Sequence, residues 1–202
     1  MKNILIIFSA LILLYSCSKT INSVTYYVLD FPIEMRQDNE ETLTSEVCEV
    51  LPVRIAEVYA QQRIALRKRS HEIIYYHYHQ WAENPDENIG RLIKNKLNSE
   101  GLFNQVSDRV WNVSPRYQLF VGINNLEVIE GDDSLYAHIN IDLELFDKNR
   151  NKVAVIHSFD HNYGLEDWDL NDVAMEMSSI LRDELNTFSY KIRVYLISQL
   201  QK

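Results

Sequence analysis

The stretch IIYYHYHQWAENP, residues 73–85, gathers three tyrosines, two histidines and a tryptophan, and its histidines invite a metal. On a strand, alternate side chains share a face. Tyr75, His77, His79 and Trp81 are therefore expected on one side, with Tyr76, Tyr78 and Gln80 on the other. Two histidines two positions apart reach one zinc ion, but a zinc site takes three or four ligands, and no further cysteine or carboxylate stands at ligand spacing nearby. The run HEIIYYH lacks the metalloprotease pattern, because Tyr75 occupies the place one helical turn after His71. In HSFDH, residues 157–161, His157 and His161 share a strand face with Phe159 between them and Asp160 opposite, which reads as histidines decorating a sheet surface. The sequence contains no G-x-S-x-G elbow, no phosphate-binding glycine loop and no reactive Cys/His pair, and only five glycines are available to build one. The residues make no case for an enzyme, a resident metal or a cofactor.

One side chain does carry a chemical signature. Lys2 is followed by a run from Ile4 to Leu14 that is apolar but for Ser9, then by Tyr15, Ser16 and Cys17. The run is shorter than the roughly 20 apolar residues a membrane-spanning helix needs, and reads as a secretory signal. Leu14, the small residue Ser16 and Cys17 resemble a bacterial lipobox, although Tyr15 is bulkier than usual there. Cleavage before Cys17 would make it the first mature residue, its sulfur carrying a diacylglyceryl group. Acyl chains at that position provide more than the two signals stable anchoring requires. The expectation is a signal peptide over 1–16, a lipidated tether over 17–23 and one domain over 24–202. Ser18 suits transfer to the outer membrane, so the expected place is the periplasmic face of that membrane.

Only Lys2 among the charged residues precedes Cys17, so the whole-chain balance of 20 basic against 29 acidic becomes 19 against 29. A net charge near −10 argues against nucleic acid, which needs a basic face. With Cys17 acylated, Cys48 has no partner for an intramolecular disulfide.

The elements that must position these residues follow from periodicity. VTYYVLDF (24–31) has strand composition and ends at Pro32. Residues 47–60 read as a strand that Pro52 confines to an edge or breaks at a bulge. NPDENIGRLIKNKLNSEG reads as a helix over about 85–100: Asn84 stands at the cap, Pro85 at the first helical place and Glu87 where a capping box needs it. Its apolar stripe is Ile89, Leu92, Ile93 and Leu97, with Arg91, Lys94 and Lys96 facing water and Gly101 as the left-handed stop. Residues 116–130, 134–147 and 152–164 alternate like half-buried strands joined by short turns, an antiparallel meander. A long helix over about 170–199, capped by Asp169, repeats Val173, Met177, Ile180, Leu181, Leu185, Phe188, Ile192 and Leu196 at helical spacing. The expected fold is α+β: a single, mostly antiparallel sheet with two helices packed on it.

Arg67, Lys68 and Arg69 admit two readings. They meet anionic headgroups of a membrane or a partner, or they protect a solvated edge strand.

The order of these features resembles the ABC-type transport auxiliary lipoprotein family. The lipobox, YYVLDFP, the block from RIALRKR through Trp81-Ala82-Glu83 and the proline-led helix to Gly101, Phe103 and Val106, the strand opening YQLFVGI and the C-terminal helix carry that likeness over the whole mature chain. The polar loop at 36–46 departs from the pattern. The resemblance implies the lipoprotein component of an MCE-type ABC system, which moves phospholipid or other hydrophobic molecules between membranes. It implies docking on an MCE-domain protein, a homo-oligomeric state as an option, and no catalysis. Within that frame Tyr75, His77, His79 and Trp81 are either partner contacts or structural, while a stand-alone lipid-binding or outer-membrane-assembly lipoprotein is the alternative.

Overall fold

A computed structural model describes residues 23–34, 36, 41–109, 111, 114–132, 134–165 and 168–200. The signal, Cys17 and most of the tether lie outside the described residues. Among the described residues, nine strands form one mixed sheet. In chain order they are β1 (Thr25–Tyr27), β2 (Val47–Val50), β3 (Arg54–Ile55), β4 (Arg63–Arg69), β5 (Glu72–Trp81), β6 (Gln105–Ser107), β7 (Tyr117–Glu130), β8 (Leu135–Asp147) and β9 (Lys152–Leu165). Helix α1 (Pro85–Ser99) separates β5 from β6, α2 (Leu170–Leu200) follows β9, and a 3-10 turn occupies Glu57–Tyr59.

Strand β7 is the hub. One edge pairs antiparallel with β8 along its length, and β8 pairs with β9, giving the expected meander. The other edge takes three parallel partners in succession: β2 at Tyr117–Leu119, β3 at Gly122–Ile123 and β4 at Glu127–Ile129. The sheet continues from β4 to β5 to β1, and from β2 to β6. The long ladders are antiparallel and the short ones parallel, as the alternation of single strands does not specify.

Strand β8 explains the core. Its side chains alternate without a break from Leu135 to Asp147, and Ala137, Ile139, Ile141, Leu143 and Leu145 are fully buried. Against that face α2 lays Val173, Met177, Leu181, Leu185, Phe188, Ile192 and Leu196, all at most 2% exposed, whereas Ile180 is only partly buried. Asp169 caps α2 as expected, its Oδ1 accepting the Asn171 N–H at 2.8 Å. The α1 stripe of Ile89, Leu92, Ile93 and Leu97 is buried as well.

Several local expectations change. The first strand is three residues long, because its partner β5 ends at Trp81, opposite Tyr27. The chain then leaves the sheet and drives Leu29 and Phe31 into the core. Strand β4 is interior, between β5 and β7, so edge protection does not account for its cations. Pro52 divides β2 from β3 as its missing N–H requires. Asn84 sits at the α1 cap without a side-chain bond, so the capping box is not made, and Asp86 and Glu87 instead offer charge to the helix's positive end. Lys94 and Lys96 are half-buried rather than free, held by Asp108 and Glu100.

Gly101 does end α1, with φ +62°. A Cβ there would come within 3.2 Å of the Arg36 side chain. Gly101→Ala is expected to cost about 1 kcal/mol or more, from the left-handed conformation alone, read as a lower denaturation midpoint with an unchanged m-value.

Candidate functional site

The aromatic stretch on β5 is broken by an irregularity. Tyr75 lies opposite Ala65 but Gln80 opposite Arg63, so β5 spends five positions where β4 spends two. Such a bulge reverses side-chain alternation, and the four residues expected on one face are separated. Tyr75 is half-buried, its hydroxyl donating to the Val58 carbonyl at 3.1 Å and its ring 5.0 Å beneath the Arg63 guanidinium. His77 is exposed. His79 meets the Tyr27 hydroxyl at 2.9 Å and stands edge-on to Tyr76. Trp81 is a core residue at 4% exposure. Among the described residues, no group of three or more His, Cys, Asp or Glu is arranged to hold a metal ion.

The cations of β4 also divide. Arg69 is solvent-exposed, 3.9 Å from Glu72, and Lys68 stands 3.9 Å from Glu130. Arg67 instead turns to Glu127, a carboxylate with no exposed surface. Its Nε donates to Glu127 Oε1 at 2.9 Å, and the Tyr59 hydroxyl donates to Oε2 at 2.8 Å. His138 Nδ1 lies 2.9 Å from Glu127 Oε1 and its Nε2 2.9 Å from Asp160 Oδ1. Carboxylates at both ring nitrogens require both to carry hydrogen, so His138 is an imidazolium. The Glu127 bond is the main reason its pKa is raised, against burial. Burial alone would raise the Glu127 pKa, but hydrogen bonds from His138, Arg67 and Tyr59 prevail and hold it at about 2. This cluster joins β4, β7, β8, β9 and the 3-10 turn, and its donors and acceptors are spent on one another. It is built to stay ionised rather than to exchange protons with a ligand.

His157 and His161 do not merely decorate the sheet. Their Nε2 atoms meet the two oxygens of Glu184 on α2, at 2.6 and 2.7 Å. Lys191 Nζ donates to His157 Nδ1 at 2.8 Å, which leaves the ring proton on Nε2, facing Glu184. The His157 ring stacks on Phe188. The pair is a clamp between β9 and α2. A second tie is Asp147, buried at the end of β8, which accepts from Arg116, from the Tyr195 hydroxyl of α2 at 2.9 Å and from the N–H groups of Asn149 and Arg150. The acidic partners Glu127, Asp147 and Glu184 carry no motif. Asp147 ends the unbroken alternation of β8 as a charge on its inward face.

An open groove of about 740 Å³ lies between residues 51–56 and the β7–β8 surface. Phe120, Ile55 and Val53 make it apolar, while Asp142 and Glu144 stand at its edge beside Arg54.

Comparison with known proteins places the chain. Residues 27–186 match the family model described as the ABC-type transport auxiliary lipoprotein component. A crystal structure of a Xanthomonas campestris protein superposes with TM-score 0.70 at 16% identity, covering 89% of this chain and all of the other. A Chlamydia trachomatis hypothetical protein gives TM-score 0.51 at 10% identity, over 77% and 99% of the two chains. At such identities the likeness is one of fold. No curated protein matches. The family match spans most of the domain, from β1 into the middle of α2, and the chain belongs to the ABC-type transport auxiliary lipoprotein component family.

Proposed function

We propose that this protein is anchored through diacylated Cys17 to the periplasmic face of the cell envelope, at the outer membrane, as the accessory subunit of an MCE-type ABC system that moves phospholipid or other hydrophobic molecules. It does no chemistry itself and docks on the MCE-domain component. The family match over 27–186 carries this reading, and the lipobox ending at Cys17 agrees with it. A stand-alone carrier holding lipid between sheet and helices has less support, because side chains of β8 and α2 at or near 0% exposure fill that space.

Deleting the gene should sensitise cells to detergents and bile salts, with resistance restored by the wild-type protein and not by Cys17→Ala. Unaltered sensitivity in the deletion strain, or full rescue by Cys17→Ala, would count against the reading.

A further inference from the structure

The tether ends beside a surface that the proposed function does not use. Residue 23 is the first described, and β1 begins at Thr25. Six steps of chain from Cys17 to Ser23 span at most about 20 Å. Whatever holds the Cys17 acyl chains therefore lies close to β1.

Large apolar side chains are exposed at this place. Tyr26 is 59%, Val28 48% and Met175 62% exposed, and all three line one cleft of about 470 Å³ between the β1 segment and the first turns of α2. Trp168, 54% exposed, directly precedes Asp169, whose carboxylate accepts the N–H of Asn171, a residue that lines the same cleft. Tyrosine and tryptophan are the side chains that settle at the headgroup level of a bilayer. Exposed apolar groups clustered in one place mark contact surfaces.

We propose that the surface bearing Tyr26, Val28, Trp168 and Met175 rests in the phospholipid interface of the membrane holding the Cys17 acyl chains. The inference rests on the anchoring of Cys17. The net charge near −10 opposes attraction to anionic lipid, so the contact is apolar and depends on the short tether, which keeps the surface at high effective concentration beside the bilayer. The docked orientation turns the β1 side of the domain to the membrane.

The test uses the lipidated full-length protein carrying Met175→Cys. Cys48 does not compete for label, being fully buried with its thiol pushed up to about 12 by that burial. A polarity-sensitive fluorophore at position 175 is followed on vesicles of phosphatidylethanolamine and phosphatidylglycerol. The expected result is a blue shift with several-fold brighter emission, quenched by lipids brominated near the headgroup and little changed by salt. The same label at Ile156→Cys, 60% exposed on β9, should behave as in water. A label at 175 that stays water-like, or is shielded but not quenched by brominated lipid, on protein that floats with the vesicles overturns the docking surface and leaves the anchor intact. Protein that does not float, with an unmodified Cys17 by intact mass, overturns the anchor and this inference together.

Discussion

Arg67→Ala should lower the stability of the domain by about 3 kcal/mol, since breaking a buried ion pair from one side leaves the other charge stranded. For a chain of this size that is a fall in melting temperature of about 6–12 °C. The stranded group is Glu127, with no exposed surface and a pKa held at about 2 by donors that include Arg67. A carboxylate whose folded pKa lies below its unfolded value stabilises fully above the unfolded pKa, ordinarily near 4.5, and loses that contribution as pH falls toward 2. The Arg67→Ala deficit should therefore shrink between pH 4.5 and pH 2, while Glu127→Gln should flatten the acid limb of the wild-type stability profile. His138 has the opposite sign. Its folded pKa is raised, so its contribution is complete below about 6.5 and disappears as pH rises through the folded value. His138→Asn should remove that alkaline loss. Thermal unfolding followed by circular dichroism across pH 2–9 checks all three, and an Arg67→Ala protein as stable as wild type at neutral pH would refute the described network.

Asp147→Ala should cost a similar amount, about 3 kcal/mol, by a different route. Asp147 is fully buried, and its carboxylate gathers Arg116, Tyr195 and the backbone of the β8–β9 turn. Burial opposes its ionisation, but the Arg116 and Tyr195 bonds prevail and keep its pKa below the usual range. Alanine frees the turn, leaves the Tyr195 hydroxyl without its acceptor and leaves the Arg116 guanidinium with Glu46 as its remaining carboxylate partner. Asp147→Asn keeps the turn geometry while removing the charge, and should lose only about 1–2 kcal/mol. Because Tyr195 lies on α2, hydrogen exchange in the last turns of that helix should rise in Asp147→Ala more than in Asp147→Asn. Equal exchange in the two variants would show that the tie to α2 is not made.

These two clusters also mark the limit of what the residues disclose before folding. Periodicity carries the meander, both helices and the core stripe of α2, because burial on one face forces a repeat of two or 3.6. The parallel pairing of β4 with β7 and the bulge in β5 leave no such trace, since they depend on which strand arrives alongside. That is why Tyr75, His77, His79 and Trp81, apparently one face, are dispersed. It is also why Arg67 proves to be a partner of Glu127, 60 residues away in the chain, while Arg69 remains exposed. In HSFDH the shared face of His157 and His161 is legible, but the helix carboxylate that they hold, Glu184, is not. The proposed lipidation at Cys17 would depend on a local sequence read by an enzyme rather than on the fold, which leaves the lipobox as its principal sign.

The most direct measurement is affinity isolation of the tagged, lipidated protein from native envelopes under mild detergent, followed by mass spectrometry of what accompanies it. An accessory subunit of an MCE-type ABC system should bring down an MCE-domain protein in near-stoichiometric amount, both in the wild type and in Ile156→Cys. A protein that is recovered intact, membrane-anchored and folded, but with no MCE-domain protein before or after cross-linking, would contradict the account.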